Sequence, residues 1–178
     1  MMGTTELVRR DDLSNRARYR VFNELAEWIR DPMIDLMNAS LADSIDLALQ
    51  AKQAHWNVKG PAFFSLHQLF EQVHATVLGF ADQLAERIAA LGGIAHGTLR
   101  EVAARSTLSR YPLDILDGRA HVEALARSLA NFGQTAQLAI QRAEEVGDRG
   151  TADLFTEISR GIDHQLWLVE SHIYPKSW

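Results

Sequence analysis

Residues 63–91 place Leu66, Phe70, Val73, Val77, Phe80, Leu84, Ile88 and Leu91 at intervals of three and four. On a helix turning 100° per residue, with His67 at zero, all eight fall between about −60° and −140°. That is one core-facing stripe, and no stretch of the chain alternates with period two over a useful length. A stripe this long commits the chain to long helices packed on one another. The remaining segments repeat the pattern. Ile34, Met37, Leu41, Ile45 and Ala48 predict a helix from about 32 to 57, with Asp31 as N-cap, Pro32 as first helical residue, and "VKGP" as its end. The second helix runs from about 63 to 91 and stops at Gly92-Gly93. Thr98-x-x-Glu101 matches a capping box for a short helix, "LREVAARS", and "SRYPLD" reads as a turn. Asp117 caps a third long helix reaching about 146, striped by Val122, Leu125, Leu129, Phe132 and Ala136. "GDRG" breaks it, and Thr151 opens a fourth that carries Leu154, Ile158, Ile162, Leu166, Val169 and Ile173 and ends at Pro175.

The expected fold is therefore all-α. Four long helices form a bundle with a crossover, and a short extra helix lies in the connection between the second and third, as in ferritin-like folds. Residues 1–30 read as an N-terminal tail with a short amphipathic segment, "VFNELAEWIR", and 31–175 as the bundle domain. The length of 178 residues suits one such domain, and 47% hydrophobic against 23% charged residues suffices for its core. A formal charge of −5 argues against a constitutively basic nucleic-acid domain. The absence of cysteine excludes thiolate sites, so any metal must take His and carboxylate ligands. No apolar run reaches the ~18–20 residues a bilayer demands, and the N-terminus has no apolar signal core; a soluble cytoplasmic protein is expected.

The second helix has another face. Relative to His67, His74 falls at about −20°, Glu71 at +40°, Asp82 at +60° and Glu86 at +100°. Opposite an apolar stripe, such residues usually form a solvated face. Two features favour a metal face instead. His67/Glu71 and Asp82/Glu86 are both i, i+4 pairs, able to converge on one point. Between the pairs, Ala75, Thr76, Leu78 and Gly79 look like a contact surface. Yet His67 and Asp82 lie about 22 Å apart along a straight helix, against metal–ligand bonds of about 2 Å. One copy cannot bring both pairs to one ion. Two antiparallel copies can, about a two-fold axis between residues 76 and 77, with Gly79 easing the approach. A competing reading takes Glu71-x-x-His74 as half of a di-iron motif. No second copy exists, since Glu157 is followed by Arg160 and Glu170 by Ile173, and the face points away from the core. His74 is left as an outer group of the site or an interface residue.

The stretches "AKQAHWNVKGPAFFSLHQLFE", "ADQLAERIAALGG", "YPLD" and "FTEISRGIDHQLWLVESHI" closely resemble the Dps proteins, the mini-ferritins named as DNA-binding proteins from starved cells. The resemblance spans about residues 30–174. It implies a homododecameric hollow shell whose ferroxidase sites bind Fe(II) between subunits at two-fold interfaces, oxidise it preferentially with hydrogen peroxide, and store Fe(III) in the cavity. His55, His67 and Glu71 would come from one chain, Asp82 and Glu86 from its partner, with Trp56 beside them. Glu71 stands where members often have Asp. Arg87 and Asp163 match an ion pair across a subunit interface, and Asp148 and Asp153 match positions lining a three-fold pore for iron entry. Such a ligand set suits weak, exchangeable Fe(II) and would also accept Zn(II) as a competitor.

Other residues are read structurally. His96, His121, His164 and His172 have no ligand-like spacing, Trp167 suits core or interface, and Trp56 suits packing as well as redox chemistry. Some relatives in the resembled family bind DNA through basic tails. Residues 4–20 hold Arg9, Arg10, Arg16, Arg18 and Arg20 against Glu6, Asp11 and Asp12, so twelve tails together would present a multivalent, salt-sensitive surface on an acidic body. A nucleoid-associated cage that condenses DNA, with iron chemistry secondary, is the alternative to the iron reading. A third is a purely structural helical assembly.

Overall fold

The computed structural model describes residues 20–173. Five helices follow in order: α1 Glu27–Asn57, α2 Phe63–Ala90, α3 Leu99–Arg105, α4 Gly118–Val146 and α5 Arg149–Glu170. No strand forms among the described residues; one isolated bridge joins Lys59 to Asp117. α1 and α2 make one hairpin and α4 and α5 another, α1 packs on α4, α2 on α5, and α3 rests on α1. This is the expected four-helix bundle with its short extra helix in the crossover.

All eight stripe residues, seven in α2 and Leu91 just past its end, are buried, as are Val122, Leu125, Leu129, Phe132 and Ala136 of α4 and Ile158, Ile162 and Val169 of α5. Phe70, Phe132 and Phe155 are fully enclosed, with Met33 and Met37 beside other aliphatic side chains. Burying such a side chain contributes about 1.5–3 kcal/mol, far more than any single cap.

Several ends differ from expectation. α1 begins at Glu27, with Ala26 as N-cap, so Pro32 lies inside the helix and the boundary expected at residue 30 falls within α1. Ile29 and Arg30 donate to the Ala26 carbonyl, and the Arg30 guanidinium reaches the Leu91 carbonyl (2.9 Å), fastening the early start of α1 to the end of α2. Thr98 is the N-cap of α3 but its hydroxyl makes no capping bond, so the expected capping box does not form. α5 opens at Asp148, not Thr151: the Asp148 carboxylate accepts from the Thr151 N–H (3.0 Å). It closes at Glu170, short of Pro175. Asp117 caps α4 as expected, accepting from Ala120 N–H at 3.3 Å. Gly147 ends that helix at φ +83°, a left-handed conformation that favours glycine.

The connection from α2 to α4 is held down by polar side chains of α1. Asn38 donates to the Ile94 carbonyl and accepts from His96 N–H. Buried Asp43 accepts from both the N–H (2.6 Å) and hydroxyl (2.9 Å) of Thr107, and Asp46 accepts from Ser106. These contacts fix where the crossover lies, and hence leave the outer face of α2 uncovered.

Candidate metal centre

The hairpin between α1 and α2 turns tightly. Val58 N–H donates to Ala54, Lys59 N–H donates to the Leu116 carbonyl, and Gly60 takes φ +110°, a conformation open to glycine. The turn brings His55, near the end of α1, against His67, in the second turn of α2. His55 Nδ1 lies 2.8 Å from the His67 carbonyl, and His67 Nδ1 lies 2.8 Å from the His55 carbonyl. A carbonyl only accepts, so both rings carry their proton on Nδ1 and donate it. The rings stack with centroids 3.7 Å apart. Each imidazole is thus fixed in orientation and tautomer, with Nε2 left as a lone pair. Metal-binding histidines are normally held in this way, by a second hydrogen bond through the other ring nitrogen.

Glu71 lies one turn beyond His67. Its Oε2 contacts the Lys52 ammonium and sits 3.4 Å from His55 Nδ1. The Lys52 hydrogen bond, opposed by desolvation and aided by the charges of Lys52, His55 and His74, holds Glu71 below the ordinary value of 4.5. It is a carboxylate throughout the neutral range. His74 donates its Nδ1–H to the Ala48 carbonyl (2.9 Å) and so also keeps Nε2 free. Lys52 was missed in the sequence. Its signal was present, because i, i+3 spacing puts it on the same face of α1 as His55.

Asp82 and Glu86 are exposed further along α2. An open groove of about 840 Å³ runs along this face from Glu71 and His74 past Ala75, Leu78 and Gly79 to Asp82. A Cβ placed on Gly79 would meet nothing within 4 Å, and Leu78 is 47% exposed. Among the described residues of one chain, no three His, Asp or Glu side chains converge to hold a metal ion. The chain stacks His55 on His67, sets Glu71 against His55 Nδ1, and leaves Asp82 and Glu86 apart further along α2. Trp56, beside His55, is 61% exposed.

The other residues singled out in the sequence lie as follows. Asp148 is 1% exposed; it pairs with Arg87 (2.7 Å) and caps α5 through Thr151, so within one chain its carboxylate is already engaged. Arg87 thereby has its partner in the same chain, and Asp163 is exposed. Asp153 is exposed on the second turn of α5. His121 is buried and hydrogen-bonded to the Tyr111 hydroxyl (2.7 Å), a structural role as read from the sequence. The arginine tail lies outside the described residues except for Arg20, and no described helix is long and apolar enough to cross a membrane.

The ferritin-like domain family matches residues 34–174. The chain is 39% identical over 159 residues to the DNA protection during starvation protein of Agrobacterium fabrum, covering 89% of this chain and 98% of that protein. Among solved structures it is similar to DpsC from Streptomyces coelicolor, with a TM-score of 0.86, 29% identity, and 91% and 95% of the two chains covered. It is also similar to Dps from Microbacterium arborescens in the high iron form, with a TM-score of 0.78, 27% identity, and 83% and 96% covered.

Proposed function

Because the chain belongs to the Dps family of ferritin-like proteins, we propose that it is a ferroxidase, oxidising Fe(II) with hydrogen peroxide at sites completed between subunits and storing Fe(III) in a dodecameric cage. The observation that carries this is the reciprocal hydrogen bonding of His55 and His67, which leaves two oriented Nε2 lone pairs on stacked rings, with an ionised Glu71 3.4 Å from His55 Nδ1. That set is a half-site. Asp82 and Glu86 of a second copy supply the other half, across the groove that Gly79 and Ala75 keep shallow. With no thiolate and few imidazoles, Fe(II) is held as an exchangeable substrate, and Zn(II) competes for the same ligands.

Each of two Fe(II) ions gives up one electron. Peroxide takes both electrons and two protons, its O–O bond breaks, and two waters leave, so no hydroxyl radical is released. Trp56, exposed beside His55, lies next to the iron as a packing or redox neighbour. Asp153 is the pore residue that remains open to solvent, while Arg87 and Asp163 stay candidates for subunit contact. Removal of peroxide and Fe(II) together is the route by which such a cytoplasmic protein would protect DNA, the role named for the Agrobacterium relative. Direct DNA binding, including association with the nucleoid, rests on the arginines of residues 4–20.

Peroxide-driven Fe(III) absorbance tests the reading. The wild type should outpace buffer, and His67→Ala and Asp82→Ala should each remove the difference. Equal rates in all samples would sink it, as would light scattering that finds only a ~20 kDa monomer, since half a site has no activity. A gel shift at several salt concentrations, with and without residues 1–20, decides the DNA question.

A further inference from the structure

A second cavity lies away from the histidine face, between α1, the 109–112 loop and α4, and encloses about 400 Å³. Arg110 and Arg127 both line it, and no Asp or Glu does. Neither guanidinium has an ion-pair partner among the described residues, and here two such arginines share one cavity. In a chain of formal charge −5, this is a local reversal of sign.

The floor beneath the arginines is built and polar. Gln50 is 4% exposed, yet its amide is fully employed, donating to the Ser109 carbonyl (3.2 Å) and the Asp46 carboxylate (3.3 Å) and accepting from the Ser128 hydroxyl (2.7 Å). These bonds lock the loop to α1 and α4, so the cavity does not depend on a mobile wall. With Gln50 and Ser128 occupied by one another, the two guanidiniums are the charged recognition groups left over, beside the side-chain amides of Asn131 and Gln134. Two forks carrying two positive charges match the dianionic oxygens of a phosphoryl group better than a single carboxylate. The volume falls in the ~300–1,000 Å³ range of small-molecule sites, too large for orthophosphate alone. Tyr111 and Pro112 add an apolar wall for the rest of the ligand.

We propose that this cavity binds a phosphorylated small molecule of nucleotide size, its phosphate held by Arg110 and Arg127. The proposal is independent of the iron site. Calorimetric titration of the full-length assembled protein with ADP, adenosine and a duplex oligonucleotide tests it. ADP should bind at least ten-fold more tightly than adenosine. Arg110→Gln and Arg127→Gln should each weaken ADP at least ten-fold, with light scattering and peroxide-driven iron oxidation unchanged, and Arg119→Gln should have no effect. Equal affinity for ADP and adenosine overturns the proposal, as does retention of ADP affinity in both variants. Displacement of ADP by the duplex, with the same dependence on Arg110 and Arg127, overturns it in favour of a nucleic-acid surface.

Discussion

At the scale of single residues, the least expected contact is that between Lys52 and Glu71. The carboxylate that should bind a cation already holds one, and the ammonium must leave when the metal arrives. On the proposed iron reading, Lys52 competes with metal for Glu71 and keeps the site weak and exchangeable. Removing it with Lys52→Met should tighten Co(II) or Zn(II), measured by calorimetry, by roughly two- to five-fold, the scale of an exposed ion pair. Unchanged or weaker affinity would mean that Lys52 helps to hold the site together. A second residue-scale prediction concerns His121. Burial lowers its proton affinity below the ordinary value of 6.5, against the opposing pull of the Ile115 backbone and Asp117, because its neutral ring sits against Phe70 and Tyr111. The unfolded chain then binds the proton first. His121 contributes full stability above pH 6.5 and loses it as pH falls through 6.5 towards the lower folded value. The loss of thermal stability between pH 7.5 and 5.5 should be smaller in His121→Gln than in the wild type; identical slopes would locate the acid sensitivity elsewhere. Burial also pushes the Tyr111 hydroxyl up, so it stays protonated throughout this window.

At the scale of elements, the start of α5 shows how one carboxylate can be read two ways. As a pore residue, Asp148 would act on iron entry. As the cap of α5 and the buried partner of Arg87, it acts on stability. Asp148→Ala removes both bonds and should destabilise by about 2–4 kcal/mol, whereas Asp148→Asn keeps an oxygen for the Thr151 N–H and should cost about half as much. Thermal denaturation checks the order, and slowed iron uptake at unchanged stability would favour the pore reading. The sequence alone could not separate these roles, because the partner Arg87 lies on a different helix. The same reason explains the other misses. The stripes of α2, α4 and α5 were legible because each repeats one face many times over. Pro32 misled because Asp31-Pro32 is a strong local start signal, while the true start rests on Arg30 reaching Leu91 across the bundle. His55 and His67 were legible as a pair, but their tautomers were not: each is set by the other's backbone carbonyl, a contact that exists only once the hairpin closes. Asn38, Asp43 and Asp46 carry no local pattern that marks them as anchors, because their partners lie in the crossover more than fifty residues away.

At the scale of the whole molecule, the issue is whether the two halves of the site belong to one chain or two. Helix geometry puts His67 and Asp82 about 22 Å apart, and no movement within a straight helix can shorten that. The groove between them is lined by small and apolar residues, suiting a second helix better than solvent. Mixing two inactive variants turns this into a count. On the proposed reading a site needs His67 from one chain and Asp82 from the other. In cages co-assembled from equal amounts of His67→Ala and Asp82→Ala subunits, a site is intact only when the first comes from an Asp82→Ala chain and the second from a His67→Ala chain. Random assembly gives that arrangement at about a quarter of sites, so peroxide-driven oxidation should return to roughly a quarter of the wild-type rate while each parent cage stays at the rate of buffer. A site built within one subunit predicts no recovery at any mixing ratio. Recovery should also rise and fall with the product of the two subunit fractions, peaking at equal amounts, which separates shared sites from a trace of active contaminant.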